Sequence, residues 1–260
     1  MQTPTDTLAS DFLFTFPAVK EGFIPDPGYT FVNIDLAGAD ARVVAWRAND
    51  EDLKNAFRSG VKIHYHNGCT IWGKEAMDND PHKVKYTKAK KGVHASNYGA
   101  KTAARRCGMT NNEWVSFQRK WFSAHPAIVD WHAEVLTMLN VDGTIRNPFG
   151  SWITFPDRPN EALRNALAWE PSSTVAEVTF IAMREIDRSF NPQVELLLQV
   201  HDSLLLQIPT RTLSPTLRSL HDMLNNIIVP YPDPLVIPWE LAISDQSWEH
   251  CKEISWNEAY

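Results

Sequence analysis

Two aspartates, each beside a strand-like run, are the residues of this chain best suited to chemistry. Asp202 stands between the apolar runs 196–200 and 204–206, whose lengths are typical of buried strands, so the pattern predicts a hairpin with Asp202 at its tip. Asp35 closes the strand-like run 29–34. Two strand-end carboxylates brought together make a site for hard divalent cations. We therefore expect a two-metal enzyme.

The elements that must position these aspartates follow from hydrophobic periodicity and turn signals. A run of helical spacing over 39–59, interrupted at 49–52, ends at Gly60 as a C-cap would end it. Further helices are predicted over about 82–97, 126–140, 160–190 and 214–227, and another helix should begin at the capping box 110–113. A loop is predicted at 73–81, a short β segment near 142–150 and a last strand at 235–243.

The order of these elements predicts the fold class. The strands lie towards both chain ends, so one sheet must be assembled from the two ends, with a mostly helical insert over about 47–168. This is the arrangement of an α+β fold, because alternating βαβ units are absent from the pattern.

Composition excludes several classes of protein. With 260 residues and 43% hydrophobic content the chain can bury a substantial core, which excludes a disordered protein. Its three scattered cysteines argue against a disulfide framework and for a reducing compartment. It shows no secretory signal and no apolar run near the ~18 residues of a membrane span. We expect an intracellular chain without a membrane partner.

A local basic segment points to a polyanionic partner, although the formal net charge is −6. Residues 81–112 contain no Asp or Glu. An exposed helix usually mixes charges of both signs, so a one-sign segment favours binding of a polyanion. Three residues at four-residue steps share one face of the predicted helix: Lys90, His94 and Tyr98.

Three segments resemble the motifs of the family A DNA polymerases, the DNA polymerase I family. Residues 35–42 resemble motif A, 90–99 resemble motif B and 199–203 resemble motif C, in the family's order and spacing. Residues 56–64 and 165–174 are similar to the family segments after motif A and before motif C. The resemblance covers about residues 25–250, and five ordered blocks make coincidence a poor explanation.

The resemblance implies the palm and fingers portion of such a polymerase, of a phage or mobile-element type. The implied fold is a polymerase palm, an antiparallel sheet with packed helices, carrying inserted helical fingers, with thumb and exonuclease domains absent. The palm would comprise residues 1–46 and 169–260, and the fingers residues 47–168.

The resemblance also implies the reaction, which is transfer of deoxynucleotides to a primer 3′-hydroxyl on a DNA template with two Mg²⁺ ions, for which Mn²⁺ can substitute. Asp35 and Asp202 would be catalytic metal ligands, with the carbonyl of Leu36 as a further ligand and Lys90 as a catalytic residue. The implied nucleotide-binding residues are His64, Lys90, His94, Tyr98, Asp40 and Tyr86, and the implied DNA-binding residues are Arg164, Ser172, His201, Lys101 and Arg105.

Several positions depart from the family pattern. Ser203 stands where motif C has a Glu after its Asp, so a third carboxylate is missing there. Asp40 is one methylene shorter than the motif A Glu, which bears on sugar selection. The other departures are Tyr86 in place of an Arg, His94 in place of an aromatic residue and Ser172 in place of a Gln. The triphosphate contact of the family Arg is therefore missing unless Lys85 or Lys88 supplies it.

The expected partners are primer-template DNA, deoxynucleoside triphosphates and a separate chain that supplies thumb and exonuclease. This last expectation arises because only 34 residues precede Asp35, where the family carries those domains. The expected location is the cytoplasm of a bacterial or phage-infected cell.

Alternative interpretations remain open at this point. The chain could be a catalytically impaired nucleic-acid-binding remnant, as the missing Glu and Arg suggest. His201-Asp202 could belong to an HD phosphohydrolase, although that class sets the dipeptide in helices with further His and Asp ligands. Taken singly, each Asp is more often a strand-end turn residue, and His64 with His66 is more often a surface pair than a metal pair.

Overall fold

The computed structural model describes residues 17–259 of the chain. Its helices are α1 (Pro17–Glu21), α2 (Ala39–Arg47), α3 (Glu51–Arg58), α4 (Ile63–Trp72), α5 (Lys74–Asp78), α6 (Val84–Asn97), α7 (Asn111–Ala124), α8 (Pro126–Val141), α9 (Pro159–Phe190), α10 (Leu213–Leu224) and α11 (Trp256–Ala259), with short 3₁₀ turns at Arg105–Cys107 and Thr210–Thr212. Its strands are β1 (Tyr29–Leu36), β2 (Thr144–Arg146), β3 (Trp152–Thr154), β4 (Glu195–Val200), β5 (Ser203–Pro209), β6 (Ile228–Val229), β7 (Leu235–Val236), β8 (Trp239–Ser244) and β9 (Lys252–Ile254).

A five-stranded antiparallel sheet carries strands from both ends of the chain, in the order β4-β5-β1-β8-β9. The prediction of one sheet assembled from the two ends, and with it the α+β class, is confirmed. β1 is the central strand of this sheet. As in any β-strand, its successive side chains face opposite sides of the sheet. Val32 and Ile34 are fully buried on one side, whereas Asn33 and Asp35 lie on the other.

The predicted hairpin is present, with β4 and β5 joined by a turn at His201 and Asp202. His201 has a φ of 57°, a left-handed conformation that a tight turn requires and that costs a non-glycine residue some strain. Leu204, Leu206 and Ile208 are fully buried in β5. The run after Asp202 therefore anchors the turn, whereas β4, the run before it, is only partly buried, contrary to the expectation of two buried strands.

Two compact units are distinguished within the chain. Within the described residues, the first comprises 17–37, 176–228 and 236–259 and contains the five-stranded sheet, and the second comprises 38–175 and 229–235 and is mainly helical. The short strands β6 and β7 lie where the chain passes from one unit to the other and back. The division into 1–46 with 169–260 and 47–168 stays a prediction, and the part of it that falls on residues 1–16 lies outside the described residues.

The helical unit holds α6 close to α7. A Cβ atom at Gly92 would lie 2.7 Å from the Phe117 ring, so only glycine permits this approach. Asp80 fixes the start of α6 by accepting hydrogen bonds from the backbone N–H groups of Val84 at 2.9 Å and Tyr86 at 3.0 Å. Both contacts set the position of the basic face of α6.

The ion cluster around Arg47 ties three helices of this unit together. Its Nη1 is 2.9 Å from Glu134 Oε2 on α8, and its Nε is 2.6 Å from Glu170 Oε1 on α9. Glu170 is only 3% exposed, so its charge depends on this partner. The cluster therefore fixes the N-terminal half of α9.

Several predicted elements have different bounds or were missed. The predicted loop at 73–81 contains helix α5, and α4, α11 and β9 were not predicted. The predicted strand at 235–243 is divided into β7 and β8, because Pro238 between them has no N–H to donate to a sheet. The capping box at Thr110, the first-turn position of Pro126 and the long helix α9 are confirmed. Within residues 17–259, no helix combines the length and apolarity needed to cross a bilayer.

Asp50 and His125 form a buried pair in the helical unit. His125 Nδ1 is 2.9 Å from Asp50 Oδ2, and Asp50 Oδ1 accepts the Leu53 N–H at 3.0 Å as the N-cap of α3. Burial raises the pKa of Asp50, but the hydrogen bonds from His125 and Leu53 outweigh it, so this pKa lies below its ordinary value. The hydrogen bonds that Asp50 makes with His125 and Leu53 therefore stabilise the helical unit.

Asp50→Ala should lower the free energy of unfolding by about 2–4 kcal/mol, because it removes a helix cap and leaves His125 buried without its partner. Asp52→Ala is the matched control, since this exposed carboxylate only pairs with His66 at 2.8 Å and should cost less than about 1 kcal/mol. Urea unfolding followed by circular dichroism measures both. Equal midpoints for the two variants would contradict the structural role of the pair.

Candidate active site

The two predicted metal-binding aspartates are brought together in the sheet-containing unit. Asp35 is paired in register with Ser203 of β5 on one side and with Glu240 of β8 on the other. Asp202 precedes Ser203 in the hairpin turn, so the β1–β5 register brings it next to Asp35. A cavity of about 320 Å³ is lined by both aspartates together with Glu240, Glu253, Lys20 and Trp248.

The electrostatics of this cavity favour a cation. Burial raises the pKa of Asp35 to about 6, and the negative charges of Asp202, Glu240 and Glu253 add to the effect in that order. Crowded carboxylates ionise together only when positive charge is supplied. Their oxygen atoms are the donors that hard divalent ions prefer, so the donor set fits such an ion. Leu36, the implied carbonyl ligand, is the last residue of β1 and is paired with Trp239.

The floor of the cavity is held by a small hydrogen-bonded group. The Ser203 hydroxyl donates a hydrogen bond to Asn33 Oδ1 at 3.2 Å, and the indole Nε1 of Trp248 donates to the same oxygen at 3.3 Å. Asn33 is two residues from Asp35 and on the same face of β1. These bonds position Trp248 and the backbone beside both aspartates.

Sequence reasoning missed three charged residues of this cavity, Glu240, Glu253 and Lys20. Glu240 lies on a strand that was predicted, but its neighbour in the sheet could not be known from one sequence. Glu253 lies on β9, which is too short for a periodic signal. Lys20 is in α1, a helix of only five residues for which no element was predicted; its Nζ is 4.7 Å from the centre of the Trp248 ring.

Three predicted nucleotide-binding residues lie near one another in the helical unit. Burial lowers the pKa of His64, and the positive charges of Lys90 and His94 lower it further. The His64 ring packs edge-on against Tyr86 at 5.6 Å between ring centres. Lys90 is exposed on α6. This part of the unit therefore presents the Lys90 ammonium beside an imidazole N–H donor, two groups that can bind an anion such as phosphate.

Tyr98, His94 and Asp40 form a second group in the same unit. The rings of His94 and Tyr98 are edge-on at 4.7 Å, and His94 Nδ1 is 4.0 Å from Asp40 Oδ2. Burial raises the pKa of Tyr98, and the Asp40 carboxylate adds to the effect. The Tyr98 hydroxyl is buried, with the Asp40 carboxylate close to it.

The five predicted DNA-binding residues do not line one common cavity. Arg164 lines a cavity of about 340 Å³ together with His94, Tyr98, Lys91 and Arg106, all in the helical unit. The remaining four are exposed or half-exposed and outside this cavity: Ser172 on α9, His201 in the hairpin turn, Lys101 after α6 and Arg105 in a 3₁₀ turn.

The two lysines considered as substitutes for the family arginine at position 86 line the same cavity, together with Asp80 and Lys120. Lys88 Nζ is 3.3 Å from Glu113 Oε1, so its charge is partly neutralised.

A second group of metal-type ligands, Asp50, Asp52 and His125, has ligand atoms within 4.8 Å of one another. Each is already engaged, since Asp50 caps α3 and binds His125, and Asp52 pairs with His66. The ring of Trp121 also packs against His125 at 4.0 Å. These contacts assign the group a structural role.

The HD phosphohydrolase alternative is wrong. That class sets the dipeptide in a helix, whereas His201 and Asp202 form the turn of a β-hairpin.

Comparisons with known proteins agree with the geometry. A family model described as DNA polymerase family A matches residues 15–248. The DNA polymerase I of Chloroflexus aurantiacus is 28% identical over 237 residues, which are 86% of this chain and 25% of that protein. The DNA polymerase of Mycobacterium phage D29 is 24% identical over 247 residues, 94% of this chain and 38% of that protein.

A solved structure shares the fold. The POL domain of Pol1 from M. smegmatis, in complex with DNA primer-template and dNTP, superposes with a TM-score of 0.79 at 19% identity, covering 90% of this chain and 42% of that one. The chain thus spans about a quarter to two fifths of the length of these relatives. Because the family model matches most of the chain, this protein belongs to DNA polymerase family A.

Proposed function

We propose that this chain carries the catalytic centre of a DNA-directed DNA polymerase, which adds deoxynucleotides to a primer 3′-hydroxyl on a DNA template. The observation that carries the proposal is the cavity in which Asp35 and Asp202 meet. Membership of family A supports it. The first unit would serve as the palm and the second as the fingers.

Asp35 and Asp202 would hold two Mg²⁺ ions, with the Leu36 carbonyl as a further ligand. When bound, the ions lower the pKa of the primer hydroxyl and stabilise charge on the attacking and leaving oxygens. The contribution of the protein is to hold one carboxylate near the end of β1 and the other in the adjoining β4–β5 turn. Pre-positioned ligands spare the reaction the cost of arranging them.

Lys90 and His64 would bind the triphosphate. The ammonium of Lys90 supplies a fixed positive charge to phosphate oxygens, and charge-assisted hydrogen bonds of this kind are strong. His64, whose pKa is lowered, would donate one ring N–H while remaining neutral at pH 7. Tyr86, in ring contact with His64, would support its orientation.

Tyr98 and His94 would contact the base pair being formed, and Asp40 the sugar. Tyr98 is largely buried but lines a cavity with His94 and Arg164, so the exposed part of its ring would contact a base placed there. Asp40, near both rings, would stand where a ribose 2′-hydroxyl would fall. Arg164, Ser172, His201, Lys101 and Arg105 would contact template and primer, chiefly through phosphates, whose contacts position DNA without reading its sequence.

The second candidate is a nucleic-acid-binding remnant with impaired catalysis, favoured by Ser203 beside Asp202 in place of a third carboxylate. Primer extension by the purified chain, with Mg²⁺ and then with Mn²⁺, separates the two candidates. Template-dependent extension supports the polymerase, and DNA binding without extension under either ion supports the remnant.

Asp35→Asn and Asp202→Asn should each reduce nucleotide incorporation by at least ~10³-fold while DNA binding persists, because the metal site and the charge it neutralises depend on both carboxylates. Asp245→Asn, an exposed residue just after β8, is the control and should retain parental activity. Single-turnover extension measures the rates. Either aspartate variant within tenfold of the parent would rule out the two-metal assignment.

Asp40→Glu should increase discrimination against ribonucleotides by about tenfold, the lower end of the effect of one methylene, which is worth ~1–3 kcal/mol. The longer side chain would extend further towards the sugar position. The ratio of kcat/KM for dNTP and rNTP is measured for the parent, for Asp40→Glu and for the exposed control Asp52→Glu. An unchanged ratio in Asp40→Glu would remove Asp40 from sugar selection.

A separate chain that supplies thumb and exonuclease stays a prediction. If it exists, this chain alone should bind duplex DNA weakly and add few nucleotides per binding event at ~0.1 M salt. The reason is that the chain would make only a small number of phosphate contacts, and salt at this concentration weakens them. Trapped single-encounter extension measures this. Long products from the chain alone would refute the need for a companion.

A further inference from the structure

Two glutamates that belong to none of the three motifs face the cavity of Asp35 and Asp202. We propose that Glu240, supported by Glu253, is a positioning residue for the divalent cations and supplies the carboxylate that is missing at Ser203. It would act through water molecules bound to the cations. This inference rests on the proposed function and names a further residue of the same site.

The sheet register places these side chains on one face. Glu240 is directly opposite Asp35, and directly opposite residues of antiparallel strands project to the same side. Ala242 is opposite Asn33 and also opposite Glu253 of β9. Asp35, Glu240 and Glu253 therefore lie on the same face across three consecutive strands, and all line the cavity.

The small residue between them leaves room for the outer glutamate. Ala242 occupies the strand position between Asn33 and Glu253, where a larger side chain would separate Glu253 from the cavity. β9 is held there by pairing of residues 252–254 with 241–243. The side chain of Glu253 can therefore lean over Ala242 towards the cavity.

The charge balance of the cavity indicates a divalent occupant. Four carboxylates face it, and Lys20 is the ammonium group that lines it. Ser203 contributes no charge, and its hydroxyl is hydrogen-bonded to Asn33. With Asp35 and Asp202 alone, two divalent ions would be poorly neutralised, whereas Glu240 and Glu253 double the negative charge.

Glu253 lies in the segment that follows the region matched by the family model. The family model matches residues 15–248, so β9 lies beyond the matched region. Glu253 is thus assigned its role by position in the sheet alone.

The experiment measures Mn²⁺ affinity of the full chain by electron paramagnetic resonance, without nucleotide or DNA. Glu240→Gln should weaken binding at the site by about tenfold, the lower range for groups that orient metal ligands. Glu253→Gln, further from Asp35, should weaken it by about threefold. Glu249→Gln, exposed and outside the cavity, is the control and should bind as the parent does. Circular dichroism verifies folding of each variant.

Rescue distinguishes a positioning role from a structural one. Ser203→Glu introduced into Glu240→Gln should recover most of the lost affinity, because a carboxylate returns beside Asp202, while adding little to the parent. Affinities of Glu240→Gln and Glu253→Gln within twofold of the parent would overturn the inference, as would failure of rescue. If Asp35→Asn abolishes Mn²⁺ binding while the glutamate variants do not affect it, the inference fails and the proposed function stands.

Discussion

The antiparallel register of β1 between β5 and β8 is the constraint on which the site depends. It pairs Asp35 with Ser203 and with Glu240, and so brings the hairpin turn that carries Asp202 to the end of β1. A shift of one residue would turn Asp35 to the opposite face and expose Val32 and Ile34, which are fully buried. The hydrophobic core therefore enforces the geometry of the acidic cavity.

The closely spaced carboxylates around Asp35 lower the stability of the folded chain when no cation is bound. The pKa of Asp35 is raised from 3.8 to about 6 by burial and then by the neighbouring carboxylates. Ionisation thus occurs at lower pH in the unfolded chain, and this group lowers stability progressively as pH rises from about 4 to about 6. Such a cost is expected where function requires like charges to be close, and a divalent cation would offset it.

The parts that could be predicted from the sequence are those with strong local signals. The runs beside Asp35 and Asp202, the capping box at Thr110 and the length of α9 carry periodicity or capping chemistry that survives in the fold. Helix α4 was missed because Gly68 and several β-branched or aromatic residues weaken its signal, and its stability comes from packing. Gly68, for example, is placed tightly against Met77.

The residues of the candidate site are also predictable only where the local sequence carries a signal. Asp35 and Asp202 are recognisable because each follows a strand-like run, whereas Glu240 and Glu253 acquire their roles only through pairing with strands distant in sequence. Tertiary pairing of this kind leaves no trace in local pattern. Tyr98 and Asp40 likewise come into contact only after α2 and α6 have packed.

Joint binding of divalent cations by Asp35 and Asp202 is best tested by a crystal structure of the chain soaked in Mn²⁺, with the ion located by anomalous scattering. We expect a peak about 2 Å from carboxylate oxygens of both aspartates, with Glu240 near enough to share its water. A sole peak at Asp50, Asp52 and His125, or no peak at the Asp35 and Asp202 cavity, would show that the two aspartates do not form the metal site.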